Sequence, residues 1–140
     1  MTPESIATIQ RSWEAVTPIA DQAATLFYDR LFEIDPTTRP LFRATDLAAQ
    51  RRKLMDIIGT VVGKLEQIEE LLPTVEALGA RHVAYGVEDR HYDSVGAALL
   101  WTLEQGLGNQ WTTETGEAWG QAYTLLSDVM RNAGTKATAA

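Results

Sequence analysis

Cysteine is absent from this chain of 140 residues. Disulfides, thiolate nucleophiles, iron–sulfur clusters and thiolate-bound zinc are therefore excluded, as is a haem attached through C-x-x-C-H. Histidine is nearly absent: His82 and His91 are the only two. On one helix, nine positions at roughly 100° each turn the two to opposite faces, and Gly86 interrupts the segment between them. At most one histidine can then serve a given metal site. Positive charge is also scarce, with twelve Lys and Arg against nineteen Asp and Glu and a net charge of −7. Such a chain repels a phosphate backbone, and it has no run of cations suited to an anionic membrane. Apolar runs fall far short of the ~20 residues that span a bilayer. The start, Met1-Thr2-Pro3-Glu4-Ser5, lacks the basic and apolar stretches of a signal peptide. The expectation is a cytoplasmic protein that binds no nucleic acid and inserts in no membrane. Phosphate loops, H-E-x-x-H zinc helices and G-x-S-x-G elbows are missing, and no period-2 alternation argues for a strand.

What is present is helical periodicity along nearly the whole chain. Ile6, Ile9, Trp13 and Val16 form one stripe, with Thr2 as expected N-cap and Pro3 in the first turn. Pro18 interrupts it and starts a second helix carrying Ile19, Ala23, Leu26, Phe27, Leu31 and Ile34. Residues 35–40, with prolines at 36 and 40, have room for about one short turn. A long helix is predicted from about Leu47, with Leu54, Ile57, Ile58, Val61, Val62 and Leu65 inward. Gly59 and Gly63 lie on it four apart, which predicts close backbone packing there. A shorter helix is expected from Pro73 to about Tyr85, another from His91 to Leu107, and a last one from Thr112 or Thr113. The reading is all-α and one domain over residues 1–133, with a flexible tail at 134–140.

The residues also resemble a known family. Leu26-Phe27-Tyr28-Asp29-Arg30-Leu31-Phe32, then Pro40-Leu41-Phe42, then Gln50-Arg51-Arg52-Lys53-Leu54-Met55 look like the distal half of a bacterial globin. Leu78-Gly79-Ala80-Arg81-His82-Val83-Ala84-Tyr85-Gly86-Val87 looks like the proximal half, and His91-Tyr92, Gly96 and residues 118–123 continue the match. The chain thus resembles bacterial single-domain globins of the Vitreoscilla type and the globin domain of flavohaemoglobins. The resemblance implies a globin fold of six to eight helices around a haem pocket, with a short or absent D helix. It implies non-covalent haem b and reversible binding of dioxygen, with CO and NO as further ligands.

Carried over by position, His82 is the proximal iron ligand. Tyr28 and Gln50 are the distal pair, with Leu54 on the same helix face as Gln50 and walling the pocket. Phe42 packs on the haem edge, Lys53 and Arg81 face the haem propionates, and Val87, Tyr92, Val95 and Tyr123 face the haem. Each also has a bland reading. His82 alone would read as a core histidine, Tyr28 as a core tyrosine, Gln50 as a solvated amide, and the others as core or surface charge. His91 follows Val87-Glu88-Asp89-Arg90, is expected to be exposed, and is given no iron role.

In that family a tyrosine and a glutamate support the proximal histidine. Tyr92 matches the tyrosine, but the glutamate position falls near Gly134, and Arg131-Asn132-Ala133-Gly134 offers no carboxylate. A weaker electron push toward iron follows, with a backbone carbonyl expected to take the histidine N–H instead. The resemblance leaves two further uses open. One is nitric oxide dioxygenation, for which a chain ending with the globin would need a separate reductase. The other is gas sensing, or a haem-free interaction scaffold.

Overall fold

The computed structural model describes residues 1–43 and 45–139, with residues 136–139 described as backbone alone. Among these residues the chain forms six α-helices joined by short 3₁₀ turns, and no strand. They are α1 (Pro3–Val16), α2 (Ala20–Ile34), α3 (Leu47–Gly63), α4 (Ile68–Ala84), α5 (Asp89–Leu107) and α6 (Thr113–Ala139). None is long and apolar enough to cross a membrane among the described residues.

The expected Thr2 cap forms, and two further helix starts are capped in the same way. Thr2 Oγ1 accepts the Ser5 N–H at 3.1 Å, with Pro3 opening α1. Asp46 Oδ1 accepts the Ala48 N–H at 3.0 Å to cap α3. Thr112 Oγ1 accepts the Thr115 N–H at 3.1 Å to cap α6. Each satisfies one of the free donors of a helix start. Gly86, at φ +91°, ends the turn after α4 in a conformation that other residues rarely adopt. The 3₁₀ segment Pro36–Phe42 leads to α3 without a further helix among residues 43, 45 and 46.

Two expectations from sequence are corrected. α4 begins at Ile68 instead of Pro73, so Pro73 lies inside the helix. Ile68, Leu71, Val75 and Leu78 keep helical spacing across it, and Leu71 and Val75 are buried. That packing outweighs the one backbone bond the proline removes. The second correction concerns the glycines of α3. A Cβ on Gly59 would touch Trp13 Nε1 at an ordinary 3.6 Å, while Gly63 faces open space and packs against nothing. α6 runs through Ala139, into the segment expected to be a tail.

One core lies where α1 and α6 meet α3 and α5. Ile9, Val16, Leu103, Ala118 and Trp119 are buried there, with Trp13 and Trp119 rings 6.1 Å apart. The indole N–H of Trp119 donates to Ser12 Oγ at 2.8 Å, and Ser12 Oγ donates to Ile9 O at 2.9 Å, so the buried polar atoms are matched. A second cluster joins α2 and α5 through Phe27, Tyr28, Leu31 and Ala98.

α4 packs along α6 very closely. A Cβ on Gly79 would stand 2.3 Å from Met130 O, and one on Gly134 would stand 2.7 Å from Val83 Cγ2. Glycine at both positions lets the two backbones approach, and this contact fixes the stretch of α4 that carries His82.

Candidate functional site

The second cluster supplies the distal side. Tyr28 is buried at its centre, with Phe27 edge-on at 4.9 Å, Phe42 edge-on at 5.4 Å and Phe32 tilted at 6.0 Å. T-shaped arrangements of this kind suit the ring quadrupoles. Leu54 of α3 and Val95 of α5 pack on the same cluster, both half-buried. Phe42 also lines a cleft of about 370 Å³ with Arg39, Pro40, Arg43, Thr45 and Leu47. That cleft shares only Phe42 with the aromatic cluster, so it is a surface feature beside the site.

Burial pushes the Tyr28 phenol above its ordinary value, opposed by its hydrogen bond with Gln50 and the nearby Arg51. It therefore remains a protonated donor at neutral pH. Gln50, which sequence alone reads as a solvated amide, is half-buried and close enough to act on the Tyr28 phenol.

The proximal side is built on the end of α4. Leu78 O lies 2.6 Å from His82 Nδ1. A carbonyl only accepts, so Nδ1 carries the proton and Nε2 holds the lone pair. Among the described residues no hydrogen-bond partner reaches Nε2. Burial holds the imidazole below its ordinary pKa, with Arg81 and Lys53 adding to the effect, while the Leu78 bond acts the other way. The ring is thus neutral near pH 7, the form that ligates a metal. Tyr92 stacks on it, with rings 6.3 Å apart and 25° between planes, and exposed Tyr85 tilts against it at 6.1 Å. Val87 closes the turn below, its N–H donating to His82 O at 3.0 Å. Tyr123 of α6 donates its hydroxyl to Tyr92 O at 2.6 Å, and burial raises its pKa strongly.

α3 links the two sides. Gln50 meets Tyr28, and one turn on, Lys53 lies within electrostatic reach of His82. Lys53 and Arg81 are both exposed.

Near position 134 the chain carries no acid, and a Cβ at Gly134 would stand 2.7 Å from Val83 Cγ2, so Val83 would have to give way to any side chain there. The backbone carbonyl of Leu78 takes the histidine N–H, as expected from the missing carboxylate. Sequence reasoning did not single out Arg131 beyond the lack of an acid. Its guanidinium lies 5.2 Å over the Tyr92 ring and donates to Asp93 Oδ1 at 2.7 Å.

His91 is a correction. It is 3% exposed instead of solvent-facing. Its Nδ1 accepts the Glu88 N–H at 2.9 Å, completing a capping box at the start of α5, and its Nε2 meets Thr37 Oγ1 at 3.1 Å. Thr37 in turn donates to Asp35 Oδ1, and Ser94 Oγ donates to Asp35 Oδ2 at 2.7 Å. The imidazole is therefore a tie between the Pro36–Phe42 segment and α5, with both nitrogens engaged. Thr37 is 54 positions away in sequence, so no local signal reveals it.

The donor set fits a haem: a neutral imidazole with one nitrogen unpartnered, a buried phenol donor with a partner amide, an aromatic wall, and two cations beside the histidine. Among models of known protein families, the globin model matches residues 25–130, about three quarters of the chain.

Proposed function

The chain belongs to the globin family, and from that premise we propose that it holds haem b without covalent attachment and binds dioxygen reversibly. His82 would hold the iron through Nε2, with CO and NO as alternative small ligands. The observation that carries the reading is the His82 ring: Leu78 O takes its Nδ1–H at 2.6 Å, Tyr92 stacks on it, and no hydrogen-bond partner reaches Nε2 among the described residues.

The haem supplies a ferrous iron that takes diatomic ligands. The protein does the rest. Leu78 O fixes the histidine tautomer and ring orientation, and Tyr92 stacks against the ring. Tyr28, kept protonated by burial, offers an O–H where negative charge develops, and Gln50 orients that phenol. Phe42, Leu54 and Val95 exclude water around it. Lys53 and Arg81 face the haem carboxylates. Val87 and Tyr123 complete the haem-facing wall. The absence of a carboxylate behind His82 favours oxygen binding over chemistry that needs a strong proximal push. The quoted motifs support a bacterial single-domain type.

The experiment is an absorption spectrum of the purified, reduced protein with and without carbon monoxide. A strong Soret band that shifts with CO is the expected result. No Soret band, even after reconstitution with hemin, overturns the reading.

A further inference from the structure

Arg131 of α6 reaches the proximal side through Tyr92. Its guanidinium lies 5.2 Å over the Tyr92 ring, and Tyr92 stacks on His82. The same guanidinium meets the start of α5 twice, donating to Asp93 Oδ1 at 2.7 Å and to Asp89 O at 3.3 Å. Its Nε is buried with no hydrogen-bond partner among the described residues. A buried donor left unpaired costs free energy, so the group is held there by something else. The helix itself does not ask for it, because a helix start favours negative charge. The ring face does, since its quadrupole attracts a cation.

The charge on Arg131 is permanent, and its bond with Asp93 pushes its pKa above the ordinary value. That charge is felt at Tyr92. Burial raises the Tyr92 phenol above its ordinary value, and Arg131 works against the rise. The phenol stays protonated near pH 7, so Tyr92 brings no negative charge to His82. The counter-ion Asp93 is exposed, where water screens it, while the guanidinium is only partly so. The ring contact is with the cationic end of the pair. Lys53 and Arg81 also act on His82 with positive charge. On the haem reading these two face the haem carboxylates, which offset them, whereas Arg131 is bonded to α5.

We propose that Arg131 is a positioning residue of the proximal side: seated on Tyr92, it holds that ring against His82 and places a positive charge that favours ferrous over ferric iron. This rests on the haem reading above. The sign follows from Coulomb's law. Ferric haem carries one more positive charge than ferrous haem, so a fixed cation nearby raises the energy of the oxidised state more. Gaining one electron becomes easier and losing it harder, and no bond forms or breaks. A protein that binds dioxygen at ferrous iron gains from this, because its iron stays in the competent state.

The test uses the haem-loaded protein, with haem uptake verified first from the Soret band. The ferric–ferrous midpoint potential is read by spectroelectrochemical titration. Arg131→Met keeps the apolar stem of the side chain and removes the charge. It is expected to shift the equilibrium roughly ten-fold toward ferric iron, about 59 mV for one electron. Arg131→Lys keeps the charge and is expected to retain most of the wild-type potential. An unchanged potential in Arg131→Met, or an equal fall in both variants, overturns the proposal. A lower urea midpoint with an unchanged potential also overturns it and leaves Arg131 as a tie between α5 and α6. In the haem-free chain, the Arg131 Nε–H proton resonance is expected upfield under the Tyr92 ring current and moves downfield in Tyr92→Leu. A resonance that does not move in Tyr92→Leu overturns the seating. A missing Soret band refutes the haem reading instead, and the NMR signal of the haem-free chain still reports on the contact.

Discussion

The tryptophan core and the His82–Tyr28 site are made by the same helices under opposite rules. In the core Ile9, Val16, Leu103 and Trp119 are closed off, and the Trp119 indole N–H has its hydroxyl. Around the site, Phe42, Gln50, Leu54, His82, Val87, Val95 and Tyr123 are only half-buried. His82 Nε2 has no hydrogen-bond partner there among the described residues. The core concentrates stability at α1 and α6, so the opposite side can keep surface and valence for a group that is not protein. Stability and binding are separated in space, and substitutions should sort accordingly.

The largest effect is expected from His82→Ala, which on the proposed reading removes the iron ligand while leaving the tryptophan core intact. Reduced and CO spectra of the variant lack the wild-type features, whereas its far-UV circular dichroism is retained. Unchanged spectra would remove His82 from the iron. Next is Gly79→Ala, where the added Cβ meets a backbone oxygen and α4 must separate from α6. Overpacking of this kind costs about 3 kcal/mol, measured as a lower urea midpoint. Since the same contact fixes the stretch of α4 with His82, this variant tests whether the two regions are as separate as they look: haem affinity should fall along with stability.

Tyr28→Phe keeps the aromatic packing and deletes the donor. Oxygen release is expected to speed up about ten-fold, the loss of one hydrogen bond to a charged acceptor. Carbon monoxide release changes much less, because that ligand carries less charge. Stopped-flow rates that rise equally for both ligands would exclude the phenol as donor.

The smallest effect concerns Ser94→Ala. Hydrogen bonds from Thr37 and Ser94 hold the Asp35 carboxyl below its ordinary pKa. A depressed carboxylate pKa adds stability above the ordinary value, and that stability is lost as pH falls through the depressed one. Without the Ser94 hydroxyl the Asp35 pKa moves back up, so the acid-side loss is smaller and is complete at higher pH. The carboxyl carbon shift of Asp35 followed by NMR against pH reads this directly, and an unmoved titration would deny the bond its role.

Much of this architecture is readable from local spacing. The stripes of α1, α2 and α5, the Thr2 cap and the Gly86 stop depend on neighbours within a turn or two. So does the Gln50–Leu54 face. Where the reading failed, a distant contact decided. The start of α4 was masked by Pro73, whose local penalty is overridden by Leu71 and Val75 in the core. His91 looks solvent-facing among charged neighbours, yet Thr37 and the Glu88 N–H draw it inside. Gly63 has the spacing of a packing glycine but faces open space. His82 and Tyr28 became legible as a pair only through the family resemblance, because nothing in the spacing of α2 and α4 says that one turn of α3 joins them.

The fit of Gly134 against Val83 also constrains how this protein can change over generations. A side chain at position 134 must displace the Val83 methyl that a new Cβ would meet at 2.7 Å. A change there is therefore coupled to the residue at position 83, and the two are expected to be non-additive. The chemistry open to the proximal side is thus set in part by how these two helices pack.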